Sequence, residues 1–137
     1  MKTVREARHS VIHRDRHAYS AHPHIARLAD GTWLAVFNKA PRRAIRLHPP
    51  QDPLFHNCLI RSTDEGGSWS APEVVPDYDR HGVECAGLTA LADGAVLLNQ
   101  WQFRWYPLAA ATARADASEL VFAERFAARL PLPHECG

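Results

Sequence analysis

Residues 61–76, RSTDEGGSWSAPEVVP, place a polar run with two glycines between two apolar segments, and this run decides the expected fold. Ser62, Asp64, Gly66, Ser68 and Trp69 follow the spacing S-x-D-x-G-x-S-W. The Asp64 carboxylate can accept hydrogen bonds from backbone N–H groups of its own turn, and Gly66 permits a positive φ. Trp69 can then return to pack between sheets. The pattern predicts a structural hairpin turn.

The sequence also contains an internal repeat. The segments IARLADGTWLAVFN (25–38) and LTALADGAVLLNQW (88–101) share Leu-Ala-Asp-Gly followed by an apolar run, at an offset of 63 residues. Asp-Gly between apolar runs is a strong hairpin signal, and we expect tight two-residue turns. A recurring antiparallel unit of this size indicates stacked or radially arranged sheets.

Strand predictions follow from the repeat. The first copy predicts strands near 22–28, 32–38, 55–62 and 69–75, and the second predicts strands near 85–91 and 95–103, with weaker candidates at 108–114 and 120–128. Residues 116–130 are open to two interpretations. Phe122, Phe126 and Leu130 lie four apart, as in a helix, whereas the repeat register favours a strand.

The polar run at 62–69 resembles the Asp box of the bacterial neuraminidase repeat, found in sialidases and related β-propellers. Sialidases also carry an Arg-Ile-Pro motif before an apolar strand and Asp-Gly, and Pro23 lies eight residues before Gly31, which is the spacing of that motif. In that family the Asp box lies away from the ligand face, so the resemblance implies a structural and not a catalytic role for Asp64. The matches cover about residues 19–76. The resemblance implies an all-β fold, a β-propeller of four-stranded antiparallel blades, with one blade over about 18–76 and a second over about 83–130.

The same resemblance implies a glycoside hydrolase acting on a carbohydrate or glycoconjugate; a non-catalytic propeller that binds glycans or proteins is the alternative. The motif's arginine, which helps bind the substrate carboxylate in sialidases, falls at Ala21, and its isoleucine falls at His22. A family glutamate falls at Asn38. Neither Ala nor His can replace a guanidinium that clamps a carboxylate, so strict sialidase specificity is not expected.

Candidate catalytic residues follow from the propeller geometry, in which ligands bind where the innermost strands begin. By the 63-residue register, His22, His24 and Glu84 are the polar groups expected there, with the two histidines on one strand face. A histidine and a carboxylate can act as base and acid in glycoside cleavage or in proton abstraction. Histidines bonded within the blade interface are the alternative. A metal site with His56 or His81 lacks a supporting ligand spacing, and no metal is expected.

The segment KAPRRAIRLHPPQDPLFHN (39–57) is a long loop between two predicted strands. Loops of this length are usually functional or disordered. In sialidases an acid/base aspartate lies in this loop, which makes Asp52 the positional candidate, with a plain loop role as the alternative. Arg42 and Arg43 are the candidate cations for substrate binding.

The segment NQWQFRWYP (99–107) alternates aromatic and polar residues, which predicts a strand with one aromatic face. Such a face packs against a neighbouring blade or stacks on sugar rings. Trp105 and Tyr106, nearest the following loop, are the candidates for a sugar contact.

Composition limits the remaining possibilities. A hydrophobic content of 46% with 23% charged residues is typical of a globular protein, and a net charge of +1 gives no reason to expect nucleic acid or an anionic membrane as a partner. No apolar run could span a bilayer and the amino terminus lacks a signal-peptide core, so we expect a cytoplasmic protein. Cys58, Cys85 and Cys136 match no disulfide or zinc pattern and are expected to be reduced thiols. No cofactor is implied.

Length adds a final expectation. A sialidase propeller has six blades, and units of 63 residues give about two blades in 137 residues. We therefore expect either part of a longer enzyme or a homo-oligomer in which three chains complete one ring.

Overall fold

The structure is a computed structural model, and it describes residues 9–44, 54–76 and 81–104 together with Ala7, Asp52 and Ala113. Its elements are all β-strands in antiparallel sheets, so the predicted all-β class is confirmed. Among the described residues no helix has the length and hydropathy needed to cross a bilayer. The predicted strands at 108–114 and 120–128, and the choice between helix and strand for 116–130, lie outside the described residues.

The described residues form two open sheets. The first has four strands in consecutive order, β1 (Ala18–Arg27), β2 (Trp33–Pro41), β3 (His56–Ser62) and β4 (Glu73–Val74). The second pairs β5 (His81–Ala90) with β6 (Val96–Arg104). All six strands were predicted. The shortest, β4, covers only part of the predicted 69–75, because the residues before it belong to the turn that begins at Ser62.

The Asp-Gly turns have a different geometry from the one expected. The Leu28 N–H donates to the carbonyl of Thr32 at 2.8 Å, and the Gly31 N–H donates back to Leu28 at 3.1 Å. Gly31 has φ 90°, whereas Asp30 accepts the Thr32 N–H at 2.9 Å. The loop therefore has three residues and ends on a left-handed glycine, so the prediction of a two-residue turn was wrong. The turn 63 residues later repeats these bonds at 2.8, 3.1 and 3.0 Å, with Gly94 at φ 86°.

The central strand β2 is buried on both faces, since residues 34–38 are all buried. One face packs on the second sheet in a cluster of Leu34, Val36, Val75, Ala86 and Leu88, bordered by Ala26, Leu28, Leu59, Val96 and Leu98. The other face carries a second cluster of Ala35, Phe37, Cys58 and Ile60, bordered by Ile12 and Trp69. Burial raises the pKa of the Cys58 thiol, which is not in a disulfide. Two clusters on opposite faces of one strand give the first sheet its core.

The outer faces of the two sheets differ. On the first sheet, Ile12 packs on the second cluster and the His13 ring stacks on Phe37 with centroids 4.8 Å apart. On the second sheet, Leu97 is 57% exposed and Trp101 is 64% exposed. These two residues lie 63 positions after Leu34 and Asn38, both of which are buried against the second sheet. The repeat is therefore covered on one side and exposed on the other.

Candidate functional site

The first strand of each sheet is interrupted at the same point of the repeat. β1 keeps its register with β2 up to Ala21 and resumes it at His24. β5 keeps its register with β6 up to Glu84 and resumes it at Gly87. Both pairs of positions are 63 residues apart. The β-bulge is thus a repeated feature of the fold, and bulges of this kind re-aim side chains next to active sites.

His22 lies inside the first bulge with its backbone in the left-handed region, at φ 49°. This conformation is uncommon for a residue other than glycine and persists where the surrounding structure holds it. The Nδ1 atom of its ring is 3.0 Å from Oδ1 of Asn38. The ring itself is exposed. His22 is therefore a strained residue whose Nδ1 atom contacts Asn38.

The orientation of Asn38 fixes the proton on His22. The Nδ2 group of Asn38 donates to the backbone carbonyl of Val83 at 2.9 Å and to Oδ1 of Asn57 at 2.6 Å. A backbone carbonyl can only accept, so this atom of Asn38 must be the nitrogen and the atom facing His22 must be the oxygen. His22 Nδ1 is then the donor in this hydrogen bond.

A chain of amides continues behind Asn38. The Nδ2 group of Asn57 donates to Oε1 of Gln100 at 2.9 Å. Asn38 and Asn57 are fully buried and lie opposite each other in β2 and β3, whereas Gln100 lies in β6. The amide chain (Asn38, Asn57 and Gln100) therefore connects the two sheets at the bulged end. Such a network rigidifies a site when its members are satisfied.

Glu84 lies next to this chain. It follows Val83, whose carbonyl binds Asn38 and whose N–H donates to the carbonyl of Phe55 at 3.0 Å. Glu84 is buried at the bulge of β5. The structure thus brings His22 and Glu84 to one end of the two sheets, each one step away from the Asn38–Val83 hydrogen bond.

His24 has a different role. The backbone N–H of Leu88 donates to Nδ1 of His24 at 3.1 Å, linking β1 to β5. Because this nitrogen accepts, the neutral ring of His24 carries its proton on Nε2, the opposite of His22. This bond matches the alternative interpretation, in which the histidine is bonded within the interface of the two sheets.

Asp52 and Arg43 bind each other. The guanidinium of Arg43 donates from Nε to Oδ2 at 2.5 Å and from Nη2 to Oδ1 at 3.1 Å. Oδ1 also accepts the Leu54 N–H at 3.0 Å. The Asp52 side chain is 1% exposed and that of Arg43 is 13% exposed. The candidate acid/base and a candidate substrate cation thus form a bidentate pair. The other cation, Arg42, is exposed, and its backbone N–H binds the carbonyl of His17.

The turn at 62–69 contains the hydrogen bonds that we expected. Asp64 Oδ1 accepts the N–H of Ser68 and the hydroxyl of Ser62, each at 2.8 Å, and Oδ2 accepts the Ser68 hydroxyl at 2.7 Å. The Ser68 N–H, followed by the two hydroxyls, lowers the pKa of Asp64 to about 2. Gly66 has φ 88°, and Trp69 Nε1 donates to its carbonyl at 3.2 Å. The Asp64 carboxylate thus closes its own turn.

Sequence reasoning missed the amide chain. Asn38 was noted only as the position of a family glutamate, and Asn57 and Gln100 were not singled out. The available signal was an asparagine in each of two neighbouring apolar strands, where a polar residue must have a partner.

The candidates for a sugar contact, Trp105 and Tyr106, lie outside the described residues. Within the described ranges no group of three or more His, Cys, Asp or Glu side chains is arranged to hold a metal.

Comparison with known proteins gives a likeness in fold. No family model and no curated protein matches the chain. The chain is similar to a solved structure, the crystal structure of an unknown function protein from Dyadobacter fermentans DSM 18053, with a TM-score of 0.66 and 20% identity over 78% of this chain. The match covers 30% of that protein, so this chain spans less than a third of its length. At this identity the likeness shows a shared fold alone.

Proposed function

We propose that the chain forms two neighbouring blades of a sialidase-like β-propeller that acts on glycans, with its ligand end at the bulges of β1 and β5. Three observations support the propeller. The first sheet is a four-stranded antiparallel meander, which is the form of a blade. The first strands of the two sheets contact each other, as innermost strands do around a channel. Turn and bulge recur at the same offset in both sheets.

The function proposed for this end is glycoside hydrolysis. The observation that carries it is His22, an exposed imidazole in a strained backbone whose proton is fixed by a buried amide. Strained residues cluster at active sites. In glycoside cleavage, one group protonates the glycosidic oxygen as its bond to the sugar breaks, and another takes a proton from the attacking water. His22 is the candidate base and Glu84 the candidate acid. Asp52 is not assigned a catalytic role, because its carboxylate is bonded to Arg43.

The experiment is a rate measurement with purified protein on a panel of 4-methylumbelliferyl glycosides. A general acid or base contributes about 10²- to 10⁴-fold to a rate, so His22→Asn and Glu84→Gln should each lower turnover by about 10²-fold or more. His56→Gln is the matched control, because His56 Nδ1 also donates, at 3.1 Å, but to the backbone carbonyl of Leu54 and not to Asn38. Equal activity in all four proteins would refute the assignment.

The second candidate is a non-catalytic glycan-binding propeller. The Arg43–Asp52 pair favours it, since these two candidate site residues are bonded to each other in this structure. Glycan binding by the wild-type protein without turnover of any glycoside in the panel would establish this function instead.

A further inference from the structure

We infer that the exposed ring of Tyr19 is a stacking platform for a pyranose ring of the glycan, at the bulged end of the first sheet. The inference rests on the proposed function for the chemical class of the ligand and for the choice of this end. Tyr19 lies in β1, two residues before the bulge begins at Ala21, and is 39% exposed. An aromatic ring offers a flat apolar surface, on which the C–H face of a sugar ring can pack.

The Tyr19 ring is held by a buried aromatic neighbour. Its centroid is 6.1 Å from that of Phe55, and the two rings meet edge to face with an interplanar angle of 68°. Phe55 is 3% exposed. Its backbone N–H donates to the carbonyl of Asp52 at 3.2 Å, and its carbonyl accepts the Val83 N–H at 3.0 Å. The residue that supports Tyr19 is thus fixed by the loop and by the second sheet, and this pre-organisation lowers the entropic cost of binding.

Tyr19 lies on the same face of the first sheet as the partner of His22. It is paired with Ala40 of β2, and directly opposite residues of an antiparallel pair have their side chains on one face. Ala40 and Asn38 are two apart in that strand, so Asn38 shares this face. The bulge re-aims the His22 ring so that its Nδ1 atom lies 3.0 Å from Oδ1 of Asn38. A sugar stacked on Tyr19 therefore lies on the side of the sheet toward which the candidate base is turned.

The second copy of the repeat shows that the strand pair does not need an aromatic residue at this position. The residue 63 positions after Tyr19 is Gly82, which lies in β5 and is paired with Phe103 of β6. The two strands pair there without a side chain on Gly82. In the first copy the same position carries a ring that is more than a third exposed. Packing alone does not account for an aromatic residue here, whereas binding of a ligand does.

The platform is tested by saturation-transfer difference NMR titrations with the methyl glycosides of glucose, galactose and N-acetylglucosamine. We expect the wild type to bind at least one of these probes. Tyr19→Phe keeps the flat ring and should bind that probe within about threefold of the wild type. Tyr19→Leu still covers Phe55 but offers no flat ring, so its affinity should fall about tenfold. Trp101→Leu is the matched control, because it removes a ring that is 64% exposed in β6, and it should leave the affinity unchanged.

Four results would overturn the platform: equal affinity in the wild type and Tyr19→Leu, an equal loss in Trp101→Leu, no binding of any probe, or a Tyr19→Leu protein whose circular dichroism spectrum shows that it is unfolded. The last of these would contradict the comparison with Gly82. Binding that depends on Tyr19 without turnover of any glycoside would support the platform and refute hydrolysis. Turnover that is lost in His22→Asn, with unchanged affinity in Tyr19→Leu, would refute the platform and leave hydrolysis standing.

Discussion

The side-chain amide of Asn38 in β2 is hydrogen bonded to the backbone carbonyl of Val83 in β5, 45 residues away in sequence. This contact joins two sheets that also pack through an apolar cluster. It also lies beside both candidate catalytic residues, because Asn38 binds His22 and Val83 precedes Glu84. One buried amide thus serves both the packing of the sheets and the geometry of the proposed site.

Replacing this amide should destabilise the fold. Asn38→Leu leaves the Val83 carbonyl and Asn57 Oδ1 without the donors that they have now, at a cost of about 2–4 kcal/mol for two buried acceptors. Urea unfolding followed by circular dichroism measures it. Gln100→Ala removes a single bond at the less buried end of the chain and should cost about 1 kcal/mol. Equal losses of unfolding free energy in the two variants would show that the hydrogen bonds of Asn38 stabilise the fold no more than the single bond of Gln100.

Removing Arg43 alone should lower the free energy of unfolding strongly, whereas removing both charges of the Arg43–Asp52 pair should lower it only slightly. Arg43→Met leaves a carboxylate that is almost completely buried without its cation, and we expect a loss of about 3–5 kcal/mol. Adding Asp52→Asn removes the charge and keeps an acceptor for the Leu54 N–H, so the double variant should recover most of that loss. Denaturant unfolding of the wild type, the two single variants and the double variant gives the coupling free energy between Arg43 and Asp52. A double variant as unstable as Arg43→Met would contradict the assignment.

The two repeated turns should respond alike to substitution. Gly31 and Gly94 have φ 90° and 86°, and a Cβ atom at either position would meet no atom within 4 Å. Alanine at each site should therefore cost about 1–2 kcal/mol from backbone strain alone. Asparagine should cost less, because it tolerates the left-handed region. Thermal unfolding measures all four variants. Costs at the two sites that differ by more than about 0.5 kcal/mol would show that the turns are not equivalent.

The turn at 62–69 predicts a dependence of stability on pH. The folded pKa of Asp64, about 2, is depressed below its ordinary value of 3.8. The folded state therefore binds this proton less readily, and the resulting stability is present above pH 3.8 and lost as the pH falls through about 2. Asp64→Asn should lower the melting temperature at neutral pH and flatten its fall across this window.

The comparison for this prediction is Asp93→Asn, which removes a carboxylate that accepts one backbone N–H at 3.0 Å. Asp15 and Asp30 also have lowered pKa values, so some slope should remain in Asp64→Asn. An unchanged slope between pH 3.8 and about 2 would show that the Asp64 hydrogen bonds do not stabilise the fold.

Local features of this chain could be predicted and long-range ones could not. The strands, the glycine at φ 88° and the bonds of Asp64 depend on residues within a few positions of one another, where spacing carries the information. The amide chain depends on how two sheets meet, which no local pattern encodes. Arg43 and Asp52 were both singled out as site residues, yet periodicity could not show that a nine-residue separation places one against the other.

The outer face of the first sheet is covered, and that of the second sheet is exposed. On one side Ile12 and His13 lie over the apolar face of the first sheet, and on the other Leu97 and Trp101 are open. The first sheet thus has an apolar face shielded from water, whereas Leu97 and Trp101 leave apolar surface hydrated on the second sheet.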